Sequence, residues 1–406
     1  MSQVITTEKK ISKEQIVIFF MLFPLLKPES VDYTFSGIGM LFNVGSVISA
    51  IIIIFLYLLK RKWPSKMVWL IGLIQVWVVL TTYLNQGEMR RSIIVMLSTI
   101  SIVLIIDLYS YRPGALIRAL FMNFEWLIYG NLLSILMYYP NGLYSHGVHG
   151  EFTCYFLGFK NSFFIYCLVA ICVACFNMLL RRQFIRSLIL IVASYLCVLI
   201  AWSATSITAL TITVGIIMYL LIVPNTKLFE YITFRVLFVV SIVINLLVSV
   251  FNIIGNFAIV SNFIVNILHK TTNLSGRTVI WGMAATMISK KLMIGYGIGE
   301  HITWAGYDWY GHNQYFQLLL EGGIPCLTLF LLIILIIARQ MEKCTGTYTY
   351  SIFMAIFCGL FTFYLVEAGA GAVFYVIFIL AYHINCFFLM EKHTKPLKII
   401  FKFRRH

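Results

Sequence analysis

The sequence predicts an all-α, polytopic integral membrane protein of about twelve transmembrane helices, and three observations predict it. Of 406 residues, 61% are hydrophobic and only 11% charged, against roughly 45–50% and about 25% in soluble domains. The mean hydropathy is +0.93. Apolar runs of about 20 residues, the length a bilayer core demands, recur along the chain. A soluble enzyme, a disordered scaffold and a nucleic-acid-binding domain are thereby excluded, despite a net charge of +15. The aromatic content of 16% suits many membrane interfaces, where Trp and Tyr collect.

Taken in order, the runs fall at 14–28, 37–59, 67–84, 92–110, 115–139, 162–180, 184–201, 206–223, 236–257, 314–338, 349–366 and 370–390. The first is the weakest, because only Ile16 to Leu26 is continuously apolar and Pro24 interrupts it. No small-residue cleavage site follows, so it reads as a span rather than a signal-peptide core. With both termini cytoplasmic, all but eight of the 30 Lys and Arg residues fall on the inner side, as the positive-inside rule requires. The eight outer cations are Lys27, Arg90, Arg91, Lys160, Lys270, Arg277, Lys290 and Lys291. Insertion bias alone disfavours them.

The chain therefore reads as one membrane domain over 1–406. Two outer connections are long: 139–161, and a large extracytoplasmic loop at roughly 258–313. Long outer segments between short connections are where a polytopic protein keeps specific chemistry. The basic tail at 391–406 reads as a cytoplasmic patch attracted to anionic lipid. The nine cysteines lie mostly inside apolar runs, and Cys172-x-x-Cys175 has no second pair, so packing explains them better than metal or redox chemistry.

The large loop holds the most informative residues. Gly276 precedes Arg277, and the run from Arg277 to Lys291 reads as a short amphipathic helix lying in the outer interface, with Lys290 and Lys291 at its dipole-compatible end. Then come the glycine-alternating Gly295-Tyr-Gly297-Ile-Gly299, which lets backbone approach a ligand closely, the aromatic stretch Trp304 to Tyr310, and His312-Asn313-Gln314-Tyr315 opening the tenth span. Glu321-Gly322-Gly323 lies inside that span. Glu321 and Glu367 sit in outer-half helical regions, where ionisable groups are costly and often functional.

The order Ser275-Gly276-Arg277-x-x-x-Trp281, then Gly295, Gly297 and Gly299, then His312-Asn313-x-Tyr315, then Glu321-x-Gly323-Ile324 resembles the outer loop of the bacterial O-antigen ligase and polymerase superfamily. Leu157-Gly-Phe159-Lys160-Asn161 is a looser match to a Gly-Phe-x-Asn stretch of surface-polysaccharide polymerases. The resemblance implies a fold like that of lipid-carrier-dependent GT-C-type glycosyltransferases. It implies a metal-independent glycosyltransferase with no cofactor, acting at the outer face of the bacterial plasma membrane. The donor would be an undecaprenyl-pyrophosphate-linked oligosaccharide, attacked at its anomeric carbon by an acceptor hydroxyl. The further expected partners are membrane lipids, a chain-length regulator and a flippase, and no nucleic acid.

By the same resemblance, Arg277 and His312 would be catalytic, Arg277 holding the pyrophosphate. Trp281, Gly297, Gly299, Asn313, Tyr315 and Glu321 would line the glycan and loop site. The superfamily's second arginine has no counterpart here, because the turn Trp202-Ser-Ala-Thr-Ser206-Ile207 carries Ile207 in its place. Arg91, Arg90 and Lys160, in that order, are the candidate replacements. The chemistry needs such groups: a leaving pyrophosphate gains charge as the glycosidic bond breaks, and guanidinium groups stabilise that state most. A neutral His suits the acceptor hydroxyl at outer-surface pH.

Structural readings stay open beside these. Arg277 could anchor the interfacial helix to lipid phosphates, and His312 could cap the tenth span. Arg90 and Arg91 could snorkel to headgroups, Glu367 could partner an outer cation, and the aromatic stretch could stack on sugars or belong to an interfacial belt. Three function classes follow: a repeat-unit polymerase for O-antigen, capsule or exopolysaccharide; a ligase moving finished glycan to lipid A core; and a lipid-linked-glycan flippase or other transporter. Few charges lie mid-span and the suspicious residues cluster in one outer loop, which favours an enzyme over a transporter.

Overall fold

The computed structural model describes residues 12–146, 152–181, 183–223, 228–249, 276–304, 307–369 and 371–393. Ser275, His149, Glu151, Lys270, the start of the large loop and most of the basic tail lie outside them. The architecture is all-α, with two small antiparallel sheets in the loops.

Every predicted run is helical within the described residues. The helices are α1 (Lys13–Leu22), α2 (Ser30–Thr34), α3 (Ser36–Leu59), α4 (Lys66–Leu84), α5 (Met89–Tyr109), α6 (Pro113–Tyr138), α7 (Phe164–Arg181), α8 (Phe184–Ile200), α9 (Ala204–Ile222), α10 (Leu228–Tyr231) and α11 (Phe234–Ser249). After the large loop's α12 (Arg277–Lys290) come α13 (Gln314–Met341), α14 (Tyr348–Tyr364), α15 (Phe374–Tyr382) and α16 (Ile384–His393). Six of them are long and apolar enough to cross a membrane, and α15 with α16 makes a seventh candidate, bent by 58°. The first expected span differs. Its helix has only 10 residues, because Pro24 ends it and starts a 3₁₀ turn, Pro24–Leu26.

Burial follows the solvent expected of a membrane protein. α7 is apolar all round and buried nearly all along, between α6, α8 and α14. The outer helices do the reverse: α3 exposes Met40, Leu41, Ile51, Ile54, Phe55 and Leu58. In water such faces would be untenable. At one end of the bundle Asp107 accepts from Tyr57 Oη at 2.8 Å and from Ser65 N at 3.3 Å, and pairs with His383 Nε2 at 2.8 Å across the α15–α16 bend. The connections assigned to the outer side gather at the other end, where Tyr33 stacks on Tyr144 and Asn85 donates to the Gly295 carbonyl.

Candidate active site

At that second end, three sequence-remote segments converge on one carboxylate. Glu367 follows α14 by three residues, outside the helix, and is fully buried. Arg277 pairs with its Oε1 through Nη2, and Asn161 Nδ2 donates to the same oxygen at 2.7 Å. Tyr310 Oη donates to Oε2 at 2.6 Å, and His312 Nδ1 lies 3.2 Å from it. A buried carboxylate is expensive unless charge and hydrogen bonds compensate it. Here burial pushes the Glu367 pKa up, but Arg277, His312 and the bonds from His312 and Tyr310 outweigh it and hold it at about 2. Burial and Glu367 together push the Tyr310 hydroxyl well above its ordinary value, so it remains a donor.

An ionised carboxylate only accepts, so His312 presents Nδ1–H to Glu367 and keeps Nε2 for another partner. The backbone holds His312 at φ 43°, a left-handed conformation that costs a non-glycine residue on the order of 1 kcal/mol. Trp281 Nε1 donates to its carbonyl at 3.1 Å, and the Tyr310 ring lies 4.1 Å from the imidazole. Asn313 caps α13, its Oδ1 accepting from Tyr315 N at 3.0 Å and Phe316 N at 3.3 Å. Its Nδ2 donates to Asn245 of α11 at 3.0 Å.

Arg277 opens α12. Ile280, Trp281, Ala284 and Ile288 form that helix's buried face, packed with Ile302 and Leu320, while Val279, Gly282, Met283 and Thr286 face outward. The expected short helix is therefore present, with one buried face and an outward face that is itself partly apolar through Val279 and Met283. Asn161 closes the segment before α7, and Ser203 Oγ donates to Asn161 Oδ1 at 2.7 Å. The turn lacking the expected arginine thus still reaches the site, through Ser203. The two loop sheets also meet: β1 (Tyr144–His146), β2 (Phe152–Tyr155) and β3 (Gly158–Phe159) contact β4 (Ile302–Trp304) and β5 (Tyr307–Trp309) where Phe152 lies edge-on to Trp309, 6.1 Å away.

Of the residues singled out by sequence, Arg277, His312, Trp281 and Asn313 come together. Tyr315 packs edge-on against Phe330 and Tyr364. Arg90 and Arg91 are exposed at the start of α5, Arg91 lying 3.8 Å from Glu88. Lys160 neighbours Asn161 in the chain. Glu367, Asn161, Tyr310 and Ser203 were not among the sequence-derived site residues, although Glu367 stood out as an acidic residue beside an apolar run.

The glycine turn packs closely on the protein's own backbone. Within α13, Gly323 leaves helical geometry (φ 62°, ψ −158°) and Pro325 has no N–H, which frees the carbonyls of Leu320 and Glu321. Tyr296 N and Gly297 N take them, at 2.6 and 2.9 Å, and Ile324 N bonds the Leu292 carbonyl at 2.9 Å. A Cβ on Gly297 (φ 87°) would stand 2.4 Å from Thr82 Cα. At Gly299 the neighbour is the His301 ring, 3.2 Å from such a Cβ, and His301 Nε2 lies 2.8 Å from the Gly297 carbonyl. Glu321 turns its side chain to Gln317, which donates to it at 2.7 Å.

Among the described residues, no three His, Cys, Asp or Glu side chains cluster as a metal site would. Chemically, the site offers a guanidinium, an imidazole whose Nδ1 is held by a carboxylate, and the buried carboxylate that joins them. A family model described as O-Antigen ligase matches residues 188–331, which include Ser203, Arg277, Trp281, Tyr310, His312 and Glu321. No curated protein matches the chain.

Proposed function

We propose, from the match of residues 188–331 to the O-antigen ligase family model, that the chain is a membrane protein of the O-antigen ligase and polymerase superfamily and acts as a repeat-unit polymerase. It joins undecaprenyl-pyrophosphate-linked oligosaccharides into a surface polysaccharide at the outer face of the plasma membrane, without a divalent metal. The observation carrying this reading is the Glu367 carboxylate shared by Arg277 and His312.

In the reaction, an acceptor hydroxyl oxygen attacks the donor's anomeric carbon. The bond from that carbon to the pyrophosphate oxygen breaks, and the lipid pyrophosphate leaves with the electron pair. His312 takes the hydroxyl proton at Nε2. The imidazolium that forms keeps its Nδ1–H on Glu367, which stabilises it as Asp or Glu does in other carboxylate–His pairs. Arg277 meets the charge growing on the pyrophosphate, and a planar guanidinium suits phosphate oxygens. Lys160, beside Asn161, is now the leading candidate for a second cation.

A ligase that transfers finished glycan is the second reading, favoured by the description of the matching family. Deleting the gene and running the surface glycan on a gel separates the two. Loss of the ladder with one repeat unit retained means polymerase, and a ladder made but left unattached means ligase. Complementation with Arg277→Ala should leave the deletion phenotype unchanged while the protein still inserts. Arg277→Lys should recover only part of the product, because a point charge lacks the bidentate fork. Full product from the Ala variant would remove the pyrophosphate role.

A further inference from the structure

We propose that Gln317 and Glu321 are positioning residues that act in series on His312, an inference that rests on His312 serving as the base. His312 sits at φ 43°, and such a backbone persists only where its surroundings over-determine it. One side of the grip is Trp281, donating to the His312 carbonyl at 3.1 Å. The other side is Gln317. Its Oε1 accepts the N–H of Gly311, the residue before His312, at 2.7 Å. Its Nε2 donates to Glu321 Oε1 at 2.7 Å.

Residues 317 and 321 are four apart on α13 and so share a face. A side-chain amide has one accepting and one donating end. With Glu321 taking the donating end, the oxygen of Gln317 has to face Gly311. Glu321 is itself pinned, because its carbonyl accepts from Gly297 N at 2.9 Å and from Thr81 Oγ1 at 2.9 Å. Both sets of anchors begin at the Gly323 break that frees that carbonyl. The acidic residue that looked like a substrate contact therefore acts through Gln317, and touches no reacting atom.

The test uses the full-length protein with lipid-linked donor, reading kcat and donor KM separately. Gln317→Glu sets two carboxyl groups against each other. It should lower kcat on the order of 10²-fold, as a displaced catalytic group does, with KM within about twofold. The exchange Gln317→Glu with Glu321→Gln rebuilds the same bonds in reverse order and should restore most of kcat. Glu321→Ala, which leaves the Gln317 amide unheld, is the second variant should Gln317→Glu fail to insert, and it should lose kcat likewise. Normal kcat in Gln317→Glu or in Glu321→Ala, or no rescue by the exchange, overturns the proposal. His312→Ala separates the two levels. If it abolishes turnover while the Gln317 and Glu321 variants stay normal, only the positioning idea fails. If His312→Ala is itself fully active, the reading of the base fails and the positioning role falls with it.

Discussion

His312 Nδ1 stands 3.2 Å from Glu367 Oε2, although 55 residues and two helices, α13 and α14, separate the two in the chain. That contact fixes the tautomer of the imidazole. It also brings His312 and Arg277 to opposite oxygens of one carboxylate, and so ties the large outer loop to the connection between α14 and α15.

The contact has a pH signature. Glu367 is held at about 2, below an ordinary value of 4.5. A depressed carboxylate adds stability that is complete above the unfolded value and is lost as pH falls towards the folded one. Wild-type protein in detergent should therefore lose on the order of 3 kcal/mol between about pH 5 and pH 2 from this group alone. Glu367→Gln should be less stable near neutrality and show a shallower acid loss. Parallel unfolding curves for the two proteins across that range would remove the assigned charge role.

The sidedness argument predicts labelling. Single cysteines placed at Ser145 or Thr303 should react with a membrane-impermeant maleimide in intact cells, and one at Lys62 should not. All three positions are exposed, and the nine native cysteines are buried or half-buried, which keeps background low. Reaction at 62 without permeabilisation would invert the topology and remove the outer active site.

A pair of glycine substitutions tests the docking of the turn onto the α13 break. Gly297→Ala forces a Cβ into Thr82 at a left-handed backbone position and should cost on the order of 2 kcal/mol. Gly282→Ala, on α12 with nothing within 4 Å, should be neutral or stabilise by up to about 1 kcal/mol. Thermal melting in detergent reads both. Equal melting temperatures would mean the turn yields more easily than its hydrogen bonds imply.

How much was legible follows from the range of each signal. The apolar helices were, because an apolar run is a local signal. Among the described residues six of them, or seven with the bent pair, are long enough to cross a membrane, while α7, α8, α11 and α14 are shorter and Pro24 cuts the first short. Arg277, His312, Trp281 and Asn313 were also legible, being close in one loop with recognisable order. Asn161 and Glu367 were not, since they lie 206 residues apart and meet only through tertiary packing. Glycine spacing at 295–299 signalled close approach correctly. It carried no information on which protein atoms lie there, which are Thr82 and the freed carbonyls of α13.

The last prediction concerns the second cation. In the proposed reaction, the pyrophosphate leaving group would carry more charge than Arg277 alone can meet, since Arg277 already faces Glu367. Sequence position ranked Arg91 first, Arg90 second and Lys160 third. Chain proximity to the carboxylate favours Lys160 instead: Arg91 lies near Glu88 on the exposed start of α5, whereas Lys160 is bonded in sequence to Asn161, which donates to the carboxylate that Arg277 holds. Lys160→Ala should therefore cut turnover of purified lipid-linked donor nearly as far as Arg277→Ala, with Lys160→Arg retaining most of it. Arg90→Ala and Arg91→Ala should stay within a few-fold of wild type, as expected of exposed charges whose worth is screened by salt. A deep loss at Arg91 with Lys160→Ala unaffected would restore the original order. Near-normal turnover in all three would mean that Arg277 needs no partner among them.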